Sequence, residues 1–372
     1  MSSKVIVTTN PANHEGGVVN YYNVIFKVFD APDVELVRMI FGSRMEHFYY
    51  PYWLKGLLYP FYYIWDLTRL LIRLLTDKSV RIVQVSPSLV KFSLCREAPI
   101  LLISKILKRK TIVFFRGWRE NEVALLQHCS WRRWLFNRVY GQCERTFVLL
   151  SQAERDLQAL GFPGKIVRTT TLYEAENVPA SVDHEGKRPV LLFLGRVSQL
   201  KGIGELLEAV AILRKQGGLS DFQVEIVGHG ERFGVIEAYE EHARKLNIND
   251  IVHFAGRQVG EAKKQAYAAA DIYVFPSWTE GCPNSVLEAM GAGLYVVGTR
   301  VGALPDLLND EKYGVLVPAQ DSKALAAAMA RALSNLAIIR SHRKDIQEYA
   351  EKHFESRLCA DFLLHQYRDI LQ

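Results

Sequence analysis

The sequence predicts two doubly wound α/β domains, each a parallel sheet with helices on both faces. Three observations carry this. The chain has 372 residues, and one domain usually takes roughly 100–200. Apolar, β-branched runs alternate with helix-patterned segments in both halves, as in parallel sheets built through crossover helices. Residues 172–187 between the halves are polar, with Pro, Gly and acids and no long apolar run, which reads as an inter-domain linker.

The elements follow in order. Residues 4–9 are a short β-branched strand, 10–17 a polar loop with glycines, and 18–29 a helix. Strands are expected at 34–41, 80–85, 111–115 and 146–150, with helices at 131–144 and 152–160 among the connections. The second half repeats the plan. Strands are expected at 189–195, 222–228, 250–255, 272–276 and 295–298, and helices at 204–215, 233–246, 260–269 and 284–290. Near-continuous apolar strands suit sheets covered on both faces. Residues 356–372 form an amphipathic helix, with Leu358, Phe362, Leu363, Tyr367 and Ile370 as its apolar face.

Composition narrows the class. Hydrophobic residues make up 49% and charged residues 23%, which excludes a disordered chain or a collagen-like repeat. Five cysteines with no Cys-x-x-Cys support neither a disulfide framework nor a cysteine zinc site. They fit a reducing compartment. The first residues read as a strand and lack the layout of a secretory signal. The most apolar stretch, 56–65, is bracketed by Lys55, Asp66, Arg69 and Arg73, and a membrane span needs roughly 20 apolar residues. Charge is uneven: residues 1–180 hold 24 Lys+Arg against 15 Asp+Glu, and the rest 22 against 25. A basic half points to an anionic surface.

The strongest chemical signal is residues 279–290, Thr-Glu-Gly-Cys-Pro-Asn-Ser-Val-Leu-Glu-Ala-Met. It follows an apolar strand. Asn284 or Ser285 is placed to cap the next helix, Glu280 lies in the loop, and Glu288 falls in the second helical turn. Free N–H groups at such a helix start, around Pro283, Asn284 and Ser285, favour a phosphate. After strand 189–195, Arg196 and Lys201 supply two cations suited to a diphosphate whose charge grows as a bond breaks. In the first half, Gly16-Gly17 permits close approach of the backbone to an anion, with His14 beside it. Other histidines, His128 and His253, read as ordinary surface or packing residues. Gly228-His229-Gly230 lacks the third glycine at the dinucleotide spacing and a ribose-binding acid downstream, which disfavours a dehydrogenase. No Asp-x-Asp and no cluster of His, Cys and carboxylates occurs. That argues against a metal-dependent reaction.

Two glutamates separated by seven residues, inside Glu280-Gly281-x-Pro283-Asn284-x-x-Leu287-Glu288-Ala289-Met290-Gly291, resemble the retaining glycosyltransferases of family 4. Residues 195–202, with Gly195-Arg196 and Lys201-Gly202, are similar to that family's donor loop. Residues 227–231 resemble its V-G-x-G strand end. Gly302-Ala303-Leu304-Pro305-Asp306 resembles its G-G-x-P-E loop, with Ala303 and Asp306 as departures. The likeness is detailed over about 190–320 and weaker but order-consistent over 1–180. It implies a GT-B fold: two doubly wound, Rossmann-like domains facing an inter-domain crevice. Residues 1–175 would bind the acceptor and 176–355 the nucleotide-sugar donor, with helix 356–372 packing back toward the first domain. It implies that Arg196 and Lys201 hold the donor diphosphate and that Glu280 lies near the transferred sugar. Glu288 would bind the ribose hydroxyls, and the amides of 283–285 the distal phosphate or sugar. Gly228 would border the donor, and the base, uracil or guanine, would lie by 255–259, including Arg257 and Val259. Gly16 and Gly17 would lie over the donor phosphates and the acceptor. The chemistry implied is front-face substitution, in which the leaving phosphate takes the acceptor's proton. No cofactor and no metal are implied. Where many relatives carry a His at the end of strand 111–115, this chain has Arg116, which cannot act as a base but can neutralise an anion.

The acceptor side is expected in the first domain. Residues 48–73 interleave aromatics with cations, and Lys105, Lys108, Arg109, Lys110, Arg132, Arg133 and Arg138 add basic groups near Trp131 and Trp134. Aromatics with Lys and Arg suit the interfacial zone of an anionic membrane, and no nucleic-acid motif is present. The expectation is a cytoplasmic transferase, peripheral on the inner face of the cell membrane. It would act on a glycan or polyprenyl-linked acceptor in cell-surface polysaccharide synthesis. The rival readings are a non-catalytic relative that binds a glycan or partner, an epimerase of the same architecture, and a soluble transferase acting on a small molecule.

Overall fold

The computed structural model describes residues 2–12, 16–41, 52–179, 184, 186–216 and 221–372, with side chains over 52–57 excepted. The chain divides into two units, Met1–Thr170 with Ser356–Gln372, and Thr171–Glu355.

The elements of unit 1 are β1 (Ser3–Thr9), α1 (Gly17–Val28), β2 (Val34–Ile40), α2 (Tyr52–Thr76), β3 (Val80–Val85), α3 (Lys91–Ile106), β4 (Lys110–Phe115), α4 (Glu120–His128), α5 (Ser130–Val139), β5 (Arg145–Val148), α6 (Ser151–Ala159) and β6 (Ile166–Arg168). Unit 2 holds β7 (Val190–Leu194), α7 (Ile203–Gln216), β8 (Gln223–Val227), α8 (Val235–Lys245), β9 (Val252–Gly256), α9 (Gly260–Ala269), β10 (Ile272–Phe275), α10 (Asn284–Gly291), β11 (Tyr295–Thr299), α11 (Leu304–Leu307), β12 (Gly314–Val317), α12 (Ser322–Ser334), α13 (Leu336–Ser341) and α14 (Arg343–Phe354). The last helix, α15 (Ser356–Leu371), belongs to unit 1.

Each unit has a six-stranded sheet, ordered β2-β1-β3-β4-β5-β6 and β12-β11-β10-β7-β8-β9. The strand pairings are parallel throughout. Parallel order forces crossover helices onto the faces, so the central strands are buried on both sides and must be apolar throughout. Val5, Ile6, Ile82, Val83, Ile112, Val113 and Phe114 are buried for this reason, as are Leu191, Leu192, Phe193, Ile272 and Val274. In each unit the strand order reverses next to the first strand, between β1 and β3 and between β7 and β10. Loops leave such a switch point in opposite directions and open a ligand crevice at the carboxyl ends of the strands.

Helix α15 packs on α1 and the sheet of unit 1: Tyr367 meets Phe29 and Phe362 meets Phe147, at ring centroid distances of 6.1 and 5.8 Å. Its anchor is a buried polar network around Gln84. The Gln84 amide donates to Tyr22 OH at 2.9 Å and accepts from Tyr367 OH at 2.9 Å, and Tyr22 shares a hydrogen bond with Ser86 Oγ. Burial pushes both phenols above the usual range, so they remain protonated donors.

The expected linker is a correction. Residues after Thr170 are built into unit 2, so the division falls five residues before position 175. Leu172 and Tyr173 are buried, and Tyr173 N–H donates to Phe354 O at 3.1 Å. His184 is buried against β10 and α9, with Nδ1 2.9 Å from Asp271 Oδ1 and Nε2 donating to Ala268 O at 2.7 Å. Asp271 is fully buried and also accepts from Arg340 Nε at 2.9 Å and from Val190 N–H at 3.2 Å, with Arg343 NH1 3.8 Å away. This cluster closes the end of the unit 2 sheet opposite the strand carboxyl ends. Three shorter differences also stand. The helix expected over 131–144 ends at Val139, and the edge strands β6 and β12 were not anticipated. No described helix is long and apolar enough to cross a membrane.

Two stability predictions follow from these networks. Asp271→Ala leaves the buried Arg343 and the half-buried Arg340 without their counter-charge and should destabilise unit 2 by about 3–5 kcal/mol, read by chemical denaturation. Tyr367→Phe leaves a buried amide oxygen without its donor and should cost about 1–3 kcal/mol. Its readout is loss of hydrogen-exchange protection in α15 and β3.

Candidate functional site

The switch point of unit 2 brings together the two loops that the motifs occupy. The first leaves β7 and runs through Gly195, Arg196 and Lys201; the second leaves β10 and runs through Ser277 to Pro283. They are knitted by backbone and side-chain bonds: Trp278 N–H donates to Leu200 O at 2.9 Å, and Ser277 Oγ to the same carbonyl at 3.1 Å. Gly202 makes this approach possible. Its φ is +70°, and a Cβ there would lie 2.0 Å from Pro276 O. Gly228, at the end of β8, has a related duty. A Cβ on it would lie 1.7 Å from Gly195 O, so its smallness lets the third loop close against the first.

Lys201 and Glu280 meet directly. Lys201 Nζ donates to Glu280 Oε1 in an ion pair, and Ser277 Oγ donates to the same oxygen at 2.9 Å. The pair is only part-buried, with side chains 28% and 13% exposed, so both groups remain reachable. Lys201 Nζ also lies 5.5 Å over the Phe275 ring. Arg196 is exposed on the same loop, while its neighbours Val197 and Ser198 are buried.

Glu288 sits in the second turn of α10, as its spacing from Glu280 predicts. Its carboxylate is held by two residues of α9. Lys263 Nζ is 2.7 Å from it, and Tyr267 OH donates to Oε2 at 2.8 Å. Burial, and then the charge of Glu288, pushes the Tyr267 hydroxyl well above its usual range, so it stays a donor. Lys263, Tyr267 and Ser277 were not anticipated. The one available signal was the i,i+4 spacing of Lys263 and Tyr267, which sets them on one helical face.

The cap of α10 is a correction. Pro283 occupies the N-cap position, where it has no hydroxyl or amide to offer, and no side-chain hydrogen bond caps the helix. Asn284 and Ser285 are already inside the first turn, where a side chain cannot reach forward to cap. Asn284 Oδ1 instead accepts from Thr171 Oγ1 at 2.7 Å. Arg257 and Val259 are both exposed just past β9.

The unit 1 residues lie at its own switch point and nearby. Gly16 is the N-cap of α1 with φ +149°, accepting from Asn20 N–H at 3.0 Å, and Gly17 is the first helical residue. His14 lies outside the described residues. Arg116 ends β4 and is buried at 9% exposure. Its guanidinium stacks 3.9 Å from the Tyr21 ring centroid and 4.5 Å from that of Phe114. His128 is exposed, and so is His253, whose Nδ1 is 2.9 Å from Glu225 Oε2.

Residues 188–335 match the family described as glycosyl transferases group 1. The amylovoran biosynthesis glycosyltransferase AmsK of Erwinia amylovora is 27% identical over 272 residues, covering 70% of this chain and 65% of that protein. A D-inositol 3-phosphate glycosyltransferase of Saccharomonospora viridis is 34% identical over 186 residues, covering 49% of this chain and 43% of its own length. The chain thus spans less than two thirds of each. The crystal structure of HepE from Anabaena, solved in complex with UDP, superposes with a TM-score of 0.71 at 14% identity over 99% of this chain and all of that one. The chain thus has the GT-B fold, and residues 188–335 within its second unit are similar to the group 1 glycosyltransferases.

Proposed function

We propose that the protein is a retaining, metal-independent glycosyltransferase. It moves a sugar from a UDP- or GDP-linked donor to a glycan or lipid-linked acceptor in polysaccharide synthesis. The observation that carries this reading is the meeting of Lys201 with Glu280 at the unit 2 switch point, with Glu288 held on the adjoining α10. AmsK, by its name, works in amylovoran biosynthesis, and HepE binds UDP. The first supports a polymer product and the second a nucleotide-linked donor.

The donor diphosphate would lie against Arg196, Lys201 and the uncapped N-terminus of α10, where cations and free N–H groups favour an anion. The bond between the sugar's anomeric carbon and the phosphate oxygen breaks, and the acceptor oxygen bonds to the same face of that carbon. The acceptor's proton passes to the leaving diphosphate, so no protein base is needed. Lys201 and Arg196 stabilise the charge that builds on the leaving group. Glu280, fixed by Lys201 and Ser277, contacts the sugar. Glu288, oriented by Lys263 and Tyr267, takes the ribose hydroxyls.

The acceptor side falls to unit 1, through Gly16, Gly17 and Arg116, and that unit would rest on the anionic inner face of the cell membrane. Its described helices carry outward-facing Phe61, Ile64, Trp65, Phe92, Trp131 and Trp134. Phe48, Tyr49 and Tyr50 lie outside the described residues, as do the side chains of Tyr52 and Trp53. A second reading, a transferase acting on a small anionic acceptor, is favoured by the name of the S. viridis relative.

Lys201→Ala and Glu288→Ala should each lower transfer by about 10²–10³-fold, the cost of losing one preorganised electrostatic partner. Full activity in both variants would sink the assignment. In a thermal-shift panel of UDP, GDP and ADP with their sugar conjugates, one base should raise the melting temperature equally with magnesium and with a chelator. A response that needs magnesium would contradict metal independence.

A further inference from the structure

Unit 1 carries a groove lined by none of the residues assigned to the transfer reaction. It is about 310 Å³ in volume and lies among α3, α4 and α5. Its walls are Leu94, Ala98 and Leu102 from α3, Leu125 from α4, and Trp131 and Leu135 from α5. Four of these side chains stay open to solvent: Leu102, Leu125, Trp131 and Leu135 are 45%, 45%, 64% and 47% exposed. Around it, Phe92, Ile106 and Trp134 also face outward from α3 and α5.

The charges that line the groove are two cations, Lys91 and Arg132, and one carboxylate, Glu122. Arg132 lies over the Trp131 ring at 5.5 Å, an aromatic–cation pairing typical of the membrane interface. Along α5 the charged residues are Arg132, Arg133 and Arg138, with no acid. An apolar trough with a cationic rim is complementary to an amphiphile with a hydrocarbon tail and an anionic head.

We infer that this groove binds one hydrocarbon chain of an anionic, phosphate-headed membrane lipid, the head held by Lys91 and Arg132. The inference rests on the membrane-facing part of the function proposed above. It goes beyond surface adsorption, because the groove selects a single chain. A bound chain would cover the leucines and Trp131, and with them the exposed Cys95, which lines the same groove.

Cys95 makes the proposal measurable. The full-length protein is alkylated with a maleimide, and each cysteine peptide is followed by mass spectrometry, with Cys282 of unit 2 as reference. Monomeric decyl phosphate, below its critical micelle concentration and at ten times its dissociation constant, should slow Cys95 alkylation about ten-fold and leave Cys282 unchanged. Decyl glucoside should protect less, and inorganic phosphate not at all. Leu102→Asp and Leu135→Asp, both at half-exposed positions, should abolish protection without moving the melting temperature. Lys91→Glu with Arg132→Glu should erase the preference for the phosphate head. Vesicles of phosphatidylglycerol are sedimented with the protein in parallel. If the protein binds vesicles but decyl phosphate leaves Cys95 reactive, the groove proposal fails while the membrane reading stands. If neither occurs, both fail. Cys95 protected by self-association without amphiphile would also overturn the proposal, since a second copy would then fill the groove.

Discussion

The position of β10 beside β7 is the constraint on which the unit 2 site depends. Crossovers in a parallel sheet are right-handed, and the chain lays down β7, β8 and β9 in one direction before returning to add β10, β11 and β12 on the other side. The two neighbours at the reversal send their loops apart, and only there can two loops far apart in sequence share a crevice. Lys201 and Glu280 are 79 residues apart and share an ion pair because of this one adjacency. Gly202 and Gly228 matter for the same reason: each removes the Cβ that would hold neighbouring loops apart at the junction.

What could be read from sequence was what depends on short-range pattern. Central strands must be apolar on both faces, so β1, β3, β4, β7, β8 and β10 announce themselves. The spacing from Glu280 to Glu288 spans a loop and one helical turn, which places Glu288 in the second turn of α10 without any structure. What could not be read depends on contacts made by single residues. The stretch after Thr170 looks like a linker because its polar residues outnumber Leu172, Tyr173 and His184, yet those three anchor it and show no periodicity. Asn284 has the chemistry of a cap, but helix geometry begins one residue earlier than its identity suggests. The edge strands β6 and β12 have three and four residues, too few to show a pattern. Lys263 became a partner of Glu288 only once α9 and α10 were set side by side.

Unit 1 shows the same division on its surface. The richness of α2, α3 and α5 in aromatics and cations is visible in the sequence, but whether those side chains form a core or a surface is settled by which helical face meets the sheet. In α3, Ser93, Glu97, Ile100, Leu101 and Ser104 are buried, which turns Leu94, Cys95, Ala98 and Leu102 away toward α4 and α5. The groove is a by-product of that rotation. The burial of Glu97 on the sheet side costs more than a leucine would, and Arg96 offsets it with an ion pair at 2.6 Å. A polar residue therefore sits on the inner face of the helix while apolar ones remain on the outer. Ile100 and Leu101 share that inner face, so α3 is apolar on both sides.

The charge arrangement in unit 2 bears on how a diphosphate leaving group would be handled. Glu280 and Glu288 are each matched by a lysine, so neither presents an uncompensated negative charge to an arriving anion. In the proposed reaction, attraction for the donor would then fall first to Arg196 and the N–H groups at the start of α10. Lys201 differs, because its ammonium is already shared with Glu280. A phosphate oxygen with modest charge competes poorly for it, whereas one gaining charge as the glycosidic bond breaks competes better. An interaction that strengthens as the reaction proceeds lowers the barrier rather than only tightening binding. In the proposed reaction the glutamate beside the lysine would thus turn a binding cation into one that favours the transition state, with Ser277, bonded to the same oxygen, holding that carboxylate in place.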